Sequence, residues 1–179
     1  MKAKIFLLLF SAIAILGCKN DQTDTTKGAA AAEAPDDTFK VIAKVIVKED
    51  DNLSLFYTED GSTDFKNEPL WSKVVGSAEP QEVIYTLPKD VFPTQLRLDF
   101  GVSPEQVDVT LQSVTFQYKD KSRTIAGAEL GNFFRADDSK CTFDPATGII
   151  TAPLKDGKKL PSLYPHEGNL GPELQKLAL

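Results

Sequence analysis

Arg97 and Asp99 lie two apart in Gln95-Leu96-Arg97-Leu98-Asp99-Phe100, a run that alternates apolar and polar residues. A strand sends successive side chains to opposite faces, so these two charges share the face turned away from Leu96, Leu98 and Phe100. Such a pair serves either as a cross-strand ion pair or as the polar floor of a ligand site. Sugar recognition needs aromatic platforms beside polar groups. Trp71 is the only tryptophan, and Tyr57, Tyr85, Tyr118 and Tyr164 are the other amphipathic rings. A sandwich of this size needs large rings inside, so a core position is the first expectation for Trp71 and a sugar platform the second. The ligand-binding candidates are Trp71, Tyr57, Arg97, Asp99 and Tyr164.

Other chemistry has less to work with. No G-x-S-x-G, H-E-x-x-H, Walker loop or dinucleotide fingerprint occurs. The single histidine, His166, sits in Tyr164-Pro165-His166-Glu167-Gly168 and reads as a surface residue. Paired carboxylates could serve glycoside hydrolysis. Asp50/Asp51, Glu59/Asp60 and Asp137/Asp138 all fall in expected turns, where adjacent acids are ordinarily solvated. Asp137, Asp138 and Asp144 could instead gather oxygen ligands around calcium, although their spacing matches no EF-hand. No cofactor and no catalytic residue is expected. Cys141 reads as a small buried residue of a strand.

The N-terminus sets the address. Lys2 and Lys4 precede a twelve-residue run, Ile5–Leu16, that is uncharged and mostly apolar. That run is too short for a bilayer core, which needs about 20 residues. Basic start, short apolar run and small residues beyond it form the pattern of a secretory signal. Ala12-Ile13-Ala14 offers an ordinary cleavage site after Ala14. Ile15-Leu16-Gly17-Cys18 resembles the lipobox of bacterial lipoproteins, with a bulky residue, Leu16, at its variable third-from-last position. The resemblance implies a signal peptide over residues 1–17 and acyl chains on Cys18. Several acyl chains would hold the chain to a bilayer with no transmembrane helix. Lys19 stands where an Asp would imply inner-membrane retention, so the resemblance points to the outer membrane, periplasmic or surface-facing.

Removing seventeen residues from 179 leaves 162, one domain of ordinary size. Lys2 and Lys4 leave with the signal, so 18 basic residues face 26 acidic ones and the mature net charge is −8. This argues against nucleic acid as a partner and is unhelpful toward an anionic membrane surface. With Cys18 lipidated, Cys141 has no partner for a disulfide.

Residues 18–37 carry no large apolar residue after the cysteine and read as a disordered tether. From residue 38 the pattern switches to period two. Phe39, Val41, Ala43, Val45 and Val47 share one face of a strand, opposite Lys40, Lys44 and Lys48. Further strands are expected over 53–58, 71–76, 81–87, 95–100 and 107–118. In the last, apolar positions change from odd to even, which predicts a β-bulge near Gln112-Ser113. Asp144-Pro145-Ala146-Thr147-Gly148 predicts a hairpin loop flanked by Phe143 and Ile149. Helix is expected only as a turn over 126–132 and a terminal turn over 171–177 with Pro172 at its first position. Short strands with frequent turns mean an all-β protein, a single jelly-roll-type β-sandwich over 38–179.

The order of features resembles galactose-binding-like jelly-roll domains. It is carried by Asp51-Asn52-Leu53-Ser54-Leu55-Phe56-Tyr57, Leu96–Gly101, Val109–Phe116, Ala126–Leu130 and Phe133. The resemblance implies a non-catalytic binding module for glycan or another envelope component. The alternative is an assembly subunit that docks an envelope protein, and a glycan-processing enzyme comes third.

Overall fold

Period-two alternation is realised as strands whose odd or even residues all turn inward. The computed structural model describes residues 37–179. The signal peptide, Cys18 and the tether as far as residue 36 lie outside the described residues. Strands β1 (Lys40–Ile46), β4 (Gln81–Thr86), β6 (Val109–Tyr118), β7 (Lys121–Ala126), β9 (Thr142–Asp144) and β10 (Ile149–Thr151) form one sheet. Strands β2 (Asp51–Thr58), β3 (Leu70–Val74), β5 (Gln95–Asp99), β8 (Phe134–Ala136) and β11 (Ser162–Pro165) form the other, in the order β3-β2-β5-β11-β8. All pairings are antiparallel. The protein is a β-sandwich.

The pairings nest. β1 pairs β4 in one sheet, while their chain neighbours β2 and β3 pair in the other. β5 pairs β11 while β6 pairs β10. Two double-stranded ribbons thus cross from sheet to sheet, the wrap of a jelly roll. Between the sheets lie Phe39, Leu55, Leu98, Phe100 and Phe116, each no more than 2% exposed. Phe39 meets Phe92 edge-on at 5.2 Å and stacks near Tyr118 at 6.1 Å.

The expected bulge is present. Ser113 pairs Lys44 and Leu111 pairs Val45, leaving Gln112 as the extra residue on β6. It returns Val114 and Phe116 to the same face as Val109 and Leu111. The Asp144 loop forms as expected: the Gly148 N–H donates to the Asp144 carbonyl at 2.8 Å, and Asp144 Oδ1 accepts the Ala146 N–H at 3.0 Å. Gly148 has φ +76°, and a Cβ there would lie 2.2 Å from the Leu111 carbonyl oxygen, so only glycine fits.

The C-terminus departs from expectation. Helix α2 spans Glu167–Ala178, and Pro172 lies inside it, five residues past its start. Leu170, Leu174 and Leu177 are buried along one helical stripe, and their packing outweighs the backbone hydrogen bond that proline cannot donate. The helix contacts β5 of one sheet and β6 and β7 of the other. Arg123 on β7 holds it, donating from Nε to Glu173 at 2.6 Å while its Nη2 engages Glu129. The 126–132 region forms a 3₁₀ turn (Gly127–Glu129) and a one-turn helix α1 (Leu130–Phe133). No helix of the described residues is long and apolar enough to cross a membrane.

Candidate functional site

Sheet register brings the charged pair and the rings together on the outer face of the five-stranded sheet. β2 and β5 pair Ser54 with Asp99 and Phe56 with Arg97. β3 adds Trp71 opposite Ser54, and β11 adds Ser162 opposite Asp99. β8 adds Arg135 opposite Tyr164. One row across the strands is therefore Trp71, Ser54, Asp99, Ser162. The next contains Phe56, Arg97, Tyr164 and Arg135. Trp71 and Asp99 stand two strands apart, roughly 10 Å at ordinary strand spacing.

Arg97 and Asp99 form an ion pair within β5 rather than across strands. Arg97 Nε donates to Asp99 Oδ1 at 2.8 Å, and Nη2 donates to Oδ2. Their side chains are 15% and 19% exposed. The guanidinium lies 4.2 Å from the Phe56 ring centre and 5.2 Å from that of Tyr164. Burial works against its charge. The hydrogen bond and charge of Asp99, with a smaller share from Tyr164, outweigh that cost and hold Arg97 above its ordinary value. Phe65, from the β2–β3 loop, packs edge-on against Phe56 at 6.5 Å and Tyr164 at 5.8 Å. Arg135 is exposed and its guanidinium lies 5.7 Å from the Tyr164 ring, with no carboxylate partner among the described residues.

Trp71 is 57% exposed, which corrects the expectation that it lies in the core. The phase of β3 explains it: Leu70, Ser72 and Val74 turn inward, so Trp71 and Lys73 turn out. Ser54 has the opposite character. It sits on the outward phase of β2 yet is 1% exposed, and its Oγ has no hydrogen-bond partner. An unpaired buried hydroxyl ordinarily costs about 1–3 kcal/mol. Tyr57 is not part of this face. It shares the inward phase of Leu53 and Leu55 and packs against the core.

The remaining candidates have structural partners. Asp51 is buried, not a solvated turn acid: it receives N–H groups of Asn52, Val102 and Ser103 and Nε2 of Gln106, pinning the loop after β5. Asp50 receives the Gly76 N–H at 2.8 Å. Glu59 and Asp60 are exposed, and hydrogen bonds from Ser62 hold Asp60 below the usual carboxylate range. Asp137 is lowered by Ser139 and then Lys140. Asp137, Asp138 and Asp144 do not gather, and no group of three or more metal-ligating side chains forms among the described residues. His166 precedes α2, and its carbonyl accepts the Asn169 and Leu170 N–H groups. Cys141 is buried just before β9, where its thiol donates to the Ser162 carbonyl at 3.3 Å and burial pushes its pKa up.

Phe56 was accessible to sequence reasoning, because the alternation that turns Leu53 and Leu55 inward turns Ser54 and Phe56 out. Phe65 and Arg135 carried no signal: one is in a loop, the other in a three-residue strand. The assembled face can stack a ring on Trp71 and hydrogen-bond beside it.

No family model matches the chain, and neither a curated protein nor a solved structure matches it.

Proposed function

We propose that this protein is an outer-membrane lipoprotein, anchored through acyl chains on Cys18, whose β-sandwich is a non-catalytic binding module for envelope glycan. The observation that carries the reading is an exposed Trp71 in register with the Arg97–Asp99 pair on one sheet face. Exposed indole costs solvation and is ordinarily buried. Beside fixed polar groups it supplies a stacking platform whose neighbours select hydroxyls. The leader and Cys18 support the anchor, as the lipobox resemblance implies.

Two experiments test the two parts. Mass spectrometry of membrane-extracted protein is expected to show a triacyl increment on Cys18, and Cys18→Ala is expected to move the chain to soluble fractions. An unmodified chain beginning at Ile15 overturns the anchor. For the binding face, Trp71→Ala is expected to lower retention on immobilised envelope polysaccharide at least about tenfold with Tm unchanged, since the apolar C–H face of a sugar loses the indole surface that covers it. Equal retention overturns the assignment of that face.

A further inference from the structure

The β10–β11 connection carries a feature that the glycan reading does not use. Residues 153–161 read Pro-Leu-Lys-Asp-Gly-Lys-Lys-Leu-Pro. Lys155 and Lys158 exchange backbone hydrogen bonds at 2.9 and 3.0 Å across a turn whose central residues, Asp156 and Gly157, have φ +51° and +72°. This is the two-residue hairpin that Asp-Gly favours. It sets two lysines directly opposite one another, an unfavourable cross-strand pairing of like charge. Leu154 and Leu160, flanking the lysines, are 59% and 40% exposed. The turn borders a cavity of about 280 Å³ whose wall includes Lys155, Asp156, Lys158, Leu160 and Lys140, the last paired with Asp137 at 3.1 Å. Lys159 is engaged elsewhere, its Nζ on the Gln106 carbonyl, and fixes the base of the hairpin.

We propose that this hairpin docks on an anionic phospholipid surface. A phosphate headgroup between Lys155 and Lys158 relieves their repulsion, and Leu154 and Leu160 enter the interface beside it. Charge complementarity selects the occupant: on a chain of net charge −6, the turn presents Lys155 and Lys158 against Asp156 alone, while Lys159 stays on the Gln106 carbonyl. The exposed Leu154 and Leu160 on either side of the turn select a lipid surface over a soluble anion. The site is on a different segment from Trp71 and stands whether or not glycan binds there.

The test is flotation of the mature chain, residues 18–179, carrying Cys18→Ala, so that neither acyl chains nor the apolar leader contribute, with vesicles of phosphatidylcholine alone or three parts phosphatidylcholine to one part phosphatidylglycerol. Binding is expected to be stronger to the anionic vesicles and to fall at least about tenfold in K155E/K158E. Leu154→Ala is expected to weaken it further at high salt, where the apolar contribution remains. The control is K44E/K73E, two exposed lysines on β1 and β3. Equal loss in the control, no loss in K155E/K158E, or no preference for anionic vesicles overturns the proposal.

Discussion

At the scale of single residues, the ion pair and the unpaired hydroxyl make opposite predictions. Arg97 and Asp99 are four-fifths buried, so removing either strands the other in an apolar setting. Asp99→Asn and Arg97→Met are each expected to cost about 1–3 kcal/mol in urea unfolding. The double variant is expected to cost less than the sum of the two, a coupling that additive single effects would contradict. Ser54→Ala removes a buried hydroxyl without a partner, so stability is expected to hold or rise slightly. A loss of stability in urea unfolding would contradict the reading of that hydroxyl as unpaired. Cys141 is expected to resist a thiol reagent until the chain unfolds. Because burial raises its pKa, the fold favours the neutral thiol. The unfolded chain releases that proton first as pH rises, so stability contributed below the ordinary thiol value of about 8.5 is lost above it. Cys141→Ala is expected to flatten that alkaline decline.

At the scale of elements, legibility followed burial asymmetry. β1, β2, β4, β5 and β6 each present one apolar face and were readable to within a few residues. The Gln112 bulge was readable because one extra residue inverts the alternation. β7 was not: Lys121, Ser122, Arg123 and Thr124 leave Ile125 as its one buried residue. β8 and β11 are three and four residues long, too short for a period to show. α2 is five residues longer than the expected 171–177: Pro172 resembles a helix start, whereas the leucine stripe decides the length. On the site, alternation sufficed for the outward phase of Arg97 and Asp99. It could not say which rings would stand beside them, since that depends on strand order. Gly148→Ala is expected to destabilise by about 2–4 kcal/mol, as both the positive φ and the Leu111 carbonyl oppose a side chain; chemical denaturation reads this directly. Glu173 is held below the usual carboxylate range by Lys176 and then Arg123, so its contribution to docking α2 is present above about pH 4.3 and lost as pH falls through its lowered value. Amide exchange over 167–178 is expected to quicken in Arg123→Ala, with β1 and β6 unchanged. Uniform quickening of the whole chain would contradict a local latch.

At the scale of the whole molecule, the sandwich leaves its two proposed surfaces on different segments. One is the outer face of the β3-β2-β5-β11-β8 sheet, the other the hairpin leading into β11. A chain tethered through Cys18, with the hairpin seated on lipid, would present a binding face beside the membrane that carries it. The proposed glycan site is the Trp71 face. Trp71 is the only tryptophan, so its indole N–H gives a single resonance and its emission a single source. The deciding measurement is an NMR titration of the full chain with soluble fragments of envelope polysaccharide, following that indole resonance. A saturable shift of the indole together with amides of Ser54 and Asp99 is expected, accompanied by a blue shift of emission. Binding that moves other amides and leaves the indole in place would contradict it, as would an indole unmoved by every fragment tested.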